Sequence, residues 1–214
     1  MTMDGPNKIF TKEQQEEHTA NEILRDLKEG NKRFVDNKPF ERNLDSLKAD
    51  ATAGQNPKAI ILSCVDSRVP VEAIFDQSIG DVFVTRIAGN IESNDVLASM
   101  EYATKVAGCK LIFVLGHESC GAVSAACDKV RMGNISALVR KIEPAIEAST
   151  EIQAPHDSSN KLFVDKVIHT NVELTCDRIY RNSDIIRNLV DTDNVKISGG
   201  VYALSSGRVQ FFDP

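Results

Sequence analysis

The apolar positions of this chain repeat with two different periods, and the switches between them mark out the elements. Over residues 19–36, Ile23, Leu24, Leu27 and Phe34 fall on one stripe at helical spacing, and Thr19 with Glu22 supplies a capping box at the start. Thr11 opens an earlier helical turn through TKEQQEEH. Three short continuous apolar runs follow: KAIILSC at 58–64, DVFVTRI at 81–87 and KLIFVLG at 110–116. Runs of that length read as strands buried on both faces. Between the last two lies NDVLASMEYATKVAG, where Asn94 is the expected cap and Val96, Met100, Ala103 and Val106 form the stripe. Further helical patterns occupy 121–131, 135–148 and 160–181, and NVKISGGVYAL and RVQFFD read as late strands. Strands alternating with helices predict an α/β fold, a mostly parallel sheet flanked by helices with an N-terminal helical arm. The expected division is one domain over 1–214, with the arm at 1–50 and the α/β core at 51–214.

Composition narrows the classes. The 214 residues are 42% hydrophobic and 26% charged, as in a globular domain with a substantial core. The formal charge of −6 argues against a nucleic-acid surface or a patch for anionic membranes. The opening MTMDGPNKIF lacks the apolar centre of a signal peptide, and the run LIFVL at 111–115 is far too short to span a bilayer. Five cysteines, an odd number without framework spacing, fit reduced thiols and a cytoplasmic setting.

The chemistry concentrates at two strand ends. In LGHESCGAV, residues 115–123, His117 and Cys120 read as one helical turn apart and are bracketed by Gly116 and Gly121. Two ligands do not hold a zinc ion, and SCVDSRVP at 63–70 offers a third in Cys64. In open α/β sheets, ligands gather beyond the carboxyl ends of strands, where Cys64 and His117 both fall. Two sulfurs and one nitrogen match a catalytic zinc with an open fourth position. If the segment after Cys64 stays extended, Asp66 and Arg68 share its face, with Pro70 ending the strand. Two other readings use the same residues: a structural zinc closed by Asp66, and a nucleophilic cysteine with His117 as its base. Neither requires an Asp-x-Arg pair. Cys109, Cys127 and Cys176 read as packed thiols.

The combination CVDSR, then HESC 53 residues after Cys64 with Gly121 next, resembles the β-class carbonic anhydrases. The resemblance runs from about residue 20 through SGGVYALSSGRVQFF. It implies one zinc per chain and reversible hydration of carbon dioxide to bicarbonate by zinc-bound hydroxide. It also implies an Asp66–Arg68 dyad in which the guanidinium offsets the carboxylate and keeps it as an acceptor. The Gly121 N–H is placed to receive a bicarbonate oxygen, while Gly116 and Gly121 also read as simple turn residues. Gln55, Phe83 and Tyr102 match the substrate pocket of plant-type relatives, partly supplied there by a neighbouring subunit, so a homodimer or larger homo-oligomer is expected. Two positions depart from that pattern: Ala88 in RIAGN, and Val106 where plant enzymes carry a histidine. The chain contains no tryptophan, which fits the subtype lacking a bicarbonate effector site. Competing functions are hydrolysis of an isostere, carbon disulfide or carbonyl sulfide, and a non-enzymatic zinc module that binds a partner.

Overall fold

A computed structural model describes residues 7–212. MTMDGP, Asp213 and Pro214 lie outside the described residues, and with them the ends of the expected 1–214 domain and most of the stretch inspected for a signal peptide. The chain runs through α1 (Lys12–Glu17), α2 (Ala20–Val35), α3 (Leu44–Ala51), β1 (Ala59–Ser63), α4 (Val71–Ile74), β2 (Val82–Arg86), α5 (Asn94–Glu101), β3 (Leu111–His117), α6 (Gly121–Cys127), α7 (Ile135–Arg140), α8 (Glu143–Glu147), α9 (Lys161–Asn182), α10 (Asp184–Asp191), β4 (Lys196–Tyr202) and β5 (Val209–Phe211). The sheet order is β2-β1-β3-β4-β5; the first four strands are parallel and β5 closes antiparallel on β4. This is the α/β architecture the periodicity predicts.

Strand alternation explains the layers. Ala59, Ile61, Leu111, Phe113 and Leu115 point to one face and pack under Ile23, Leu24 and Leu27 of α2. Ile60, Leu62, Ile112 and Val114 point to the other, where Met100, Val172 and Ile186 cover them from α5, α9 and α10. With both faces covered, no polar alternation survives in β1 or β3, hence the continuous apolar runs.

Helix starts follow their caps. Thr11 and Thr19 each accept from the backbone three residues on, with the glutamine or glutamate reaching back. Ser93, not Asn94, caps α5, accepting from the Val96 N–H. The expected long helix after it stops at Glu101 and continues as a wide turn over Tyr102–Val106, where the Thr104 hydroxyl donates to the Met100 carbonyl. The expected 135–148 helix is two, with Pro144 in the first turn of α8. Helices α3, α4 and α10 have no counterpart among the expected elements.

Two glycines let α9 lie close on the sheet. A Cβ on Gly116 would sit 2.6 Å from Val172 Cγ2, and one on Gly199 2.7 Å from Val172 Cγ1. Gly116 therefore serves close packing rather than a turn, immediately before His117.

Candidate metal centre

Register brings the ligands together. Ser63 pairs with Leu115 on β3 and with Arg86 on β2, so the three strands release the chain at one end of the sheet. Cys64 follows β1 directly, His117 is the last residue of β3, and Cys120 precedes α6. The ligand atoms of Cys64, His117 and Cys120 all lie within 4.8 Å of one another, and all three residues are buried. The turn between His117 and Cys120 passes through Ser119 at a φ of 54°. A left-handed turn, not a helical one, therefore juxtaposes the pair.

The donor set fits zinc. The two sulfurs stand 3.9 Å apart. Tetrahedral zinc with sulfur at about 2.3 Å would separate them by about 3.8 Å. Nδ1 of His117 donates to the Glu118 carbonyl at 2.9 Å, so Nε2 carries the lone pair. That nitrogen is buried and has no hydrogen-bond partner among the described residues. The thiols titrate as a pair. The hydrogen bond with Cys120 pulls the Cys64 thiol well down, while that bond and burial push Cys120 up. Two thiolates this close require a cation between them.

Asp66 and Arg68 lie on a turn, which corrects the expected extended segment. The Asp66 Oδ1 accepts from the Arg68 N–H at 2.9 Å, an Asx turn, and the Val69 N–H reaches the Asp66 carbonyl. The guanidinium then folds back onto both carboxylate oxygens, at 2.9 and 2.8 Å. These side-chain hydrogen bonds, ahead of the backbone one, hold the Asp66 carboxyl well below the usual range. Its Oδ2 is 3.9 Å from His117 Nε2.

The other expected residues are spread out. Gly121 opens α6 beside Cys120, and a Cβ added there would meet nothing within 4 Å. Gln55 is exposed in the loop before β1. Phe83 and Tyr102 hold their rings 6.3 Å apart in a surface recess with Ile60, Val84 and Ala98. Phe83 pairs with Ile60, four residues before Cys64, so its backbone lies about 13 Å along the sheet from that of Cys64 at the usual strand rise. Within one chain these aromatics do not join the ligand cluster.

Two supports escaped the sequence reading. The Arg86 guanidinium donates to the Cys64 carbonyl at 2.9 Å and to the Asp66 carbonyl at 2.5 Å, clamping the turn between them. The Gly89 N–H donates to Cys64 Sγ at 3.4 Å. Position 86 is the last but one of DVFVTRI and position 89 is a glycine in RIAGN, but nothing local marks their target.

Known proteins resemble this chain in sequence and fold. The family model described as Carbonic anhydrase matches residues 59–209. Carbonic anhydrase 2 of Mycobacterium tuberculosis is 38% identical over 190 residues, which cover 87% of this chain and 90% of the relative. The carbonic anhydrase of Mycolicibacterium smegmatis is 37% identical over 186 residues, covering 86% and 89%. Among solved structures, a β-carbonic anhydrase of Sordaria macrospora, described as tetrameric, superposes with a TM-score of 0.70 at 25% identity, covering 78% of this chain and 86% of that one. The β-carbonic anhydrase of Coccomyxa, solved with acetazolamide, gives 0.69 at 25% identity, covering 77% and 75%. A parallel sheet that delivers two cysteines and a histidine to one point, and relatives that match along most of their length, lead to one conclusion: this chain belongs to the β class of the carbonic anhydrase family.

Proposed function

We propose that this chain hydrates carbon dioxide reversibly to bicarbonate at a zinc ion held by Cys64, His117 and Cys120, with Asp66 and Arg68 as its working pair. The observation that carries the reading is the Asp66 carboxylate, gripped through both oxygens by Arg68 while one of them stands 3.9 Å from His117 Nε2. Bound between those ligands, zinc supplies a Lewis acid that makes water a nucleophile near neutral pH.

The protein's own groups do the rest. Two thiolates offset the cation's charge, which makes the nucleophile harder to generate than with neutral ligands. A bare carboxylate alongside would add to that difficulty, and Arg68 offsets it. Asp66, kept ionised, accepts a hydrogen bond from the attacking water and orients its lone pair toward the carbon. The Gly121 N–H is among the first of α6, which lack partners inside the helix, and the absence of any atom within 4 Å of an added Cβ leaves room beside it for a bicarbonate oxygen.

Both competing site chemistries are less well supported. Closing a structural zinc with Asp66 requires breaking its bidentate pair. A nucleophilic cysteine needs an accessible sulfur, whereas Cys64 and Cys120 are 4% and 1% exposed.

The finer reading is a plant-type enzyme without a bicarbonate effector site, supported by the lack of tryptophan and by the Asp66–Arg68 pairing. Assembly belongs to the same proposal, as a homodimer or larger. Its support is the 56% exposure of Tyr102 beside half-buried Phe83 on the β2 edge, which makes them available to a second subunit's site together with Gln55. Cytoplasmic residence is proposed from five free cysteines. No helix among the described residues is long and apolar enough to cross a membrane.

Substrate choice is the test. Stopped-flow hydration with a pH indicator is compared with sulfide release from carbon disulfide and carbonyl sulfide. Fast hydration is expected. Turnover of the sulfur compounds alone would replace this reading with the isostere hydrolase.

A further inference from the structure

Gly89, which donates to Cys64, also accepts from a residue far away in the sequence. Asn171, in α9, is 1% exposed and donates through Nδ2 to the Gly89 carbonyl at 2.9 Å. Gly89 lies in a short 3₁₀ turn, Ala88–Asn90, at a φ of 73°. A side chain there is disfavoured twice: by the left-handed backbone, and by Ile142 Cδ1, 2.8 Å from an added Cβ. The turn closes through the Asn90 N–H on the Ile87 carbonyl, so the Asn171 amide fixes its remaining side.

We infer that Asn171 is a positioning residue for the zinc-binding sulfur of Cys64, acting by holding Gly89 so that its N–H points at that sulfur. The inference rests on the zinc reading above. An amide buried to this degree is costly to leave unpaired, and it stays here with Oδ1 unpartnered among the described residues. A residue needed only to fill α9 would be apolar, like its neighbour Val172. Val172 packs on Gly116, next to His117, so one turn of α9 braces the supports of two ligands. The N–H fixes which sulfur lone pairs face the metal and reduces the charge the sulfur donates to it.

The test begins with the wild-type protein carrying the spin-half isotope of cadmium in place of zinc. Scalar coupling between the metal and the Gly89 amide proton is expected across the hydrogen bond. Its absence overturns the inference, whatever the variants do. The second arm replaces the amide: Asn171→Leu keeps the branched heavy-atom skeleton, and Asn171→Ser takes over if circular dichroism shows the leucine variant unfolded. Zinc affinity, read by competition with a chromophoric chelator, should fall about 10–100-fold. The thiolate-to-metal band of the cobalt-substituted form should shift. Wild-type affinity with an unmoved band in a folded variant overturns the inference. If wild type holds no zinc, or Cys64→Ser holds as much, the failure lies in the metal assignment instead.

Discussion

The Asp66 carboxylate stands 3.9 Å from His117 Nε2 while both of its oxygens accept from the Arg68 guanidinium. One side chain is thus shared between the metal-facing point and a cation half open to solvent. Arg68 is 53% exposed, so its worth lies in geometry more than in bulk stability. The pairing fixes where the carboxylate can reach, and the predictions follow from that.

Cys64→Ser should lose most of its metal. Purified wild type should carry about one zinc per chain, the number a three-ligand catalytic centre implies. Elemental analysis checks both. Full zinc in the serine variant would show that Cys64 is not a ligand.

Arg68→Ala should keep its zinc yet lose activity by about 10–100-fold, the usual effect of removing an outer partner. The sign of its pH effect is fixed. Arg68 depresses the Asp66 carboxyl, so the pair's contribution is present above the ordinary carboxylate value and is lost only as pH falls through the depressed one. Without Arg68 the carboxyl should protonate at higher pH than in wild type. Carbon NMR of labelled aspartate reads this directly, and an unmoved titration contradicts the dyad.

The motif chemistry of this centre was legible because it is local. Cys64, Asp66 and Arg68 lie within five residues, and His117 and Cys120 within four. Their backbone departs from the expected one, since the Asx turn at Asp66 rests on a side-chain bond and the turn before Cys120 on one left-handed residue, Ser119, neither of which leaves a periodicity. Arg86 was invisible for another reason. Its partners are 22 and 20 residues away and become neighbours only through β1–β2 pairing. The sheet itself was easier, because β1 and β3 are buried on both faces and their sequences show nothing else. Helix α10 was lost where Ser183 caps it directly after α9, two helices that read as one pattern and its tail.

Gly116→Ala should destabilise the fold. The added carbon would meet Val172 Cγ2 at 2.6 Å, and overpacking of that kind costs roughly 1–3 kcal/mol. At about 2–4 °C per kcal/mol for a chain of this size, calorimetry should register the fall. An unchanged melting temperature would mean that α9 does not press on β3 as described.

Sedimentation should show a dimer or larger species, and conditions that isolate the monomer should leave it poorly active. Tyr102→Ala should weaken both assembly and turnover. A fully active monomer would remove the role assigned to Gln55, Phe83 and Tyr102.

The central claim is that zinc between Cys64, His117 and Cys120 drives carbon dioxide hydration, and one titration measures it. Metal-free protein receives zinc in steps, and the stopped-flow hydration rate is followed against bound metal. The account predicts a rate that rises in proportion to occupancy and levels off when the three-ligand site is full. A rate that stays at the uncatalysed background with the site fully loaded would contradict it.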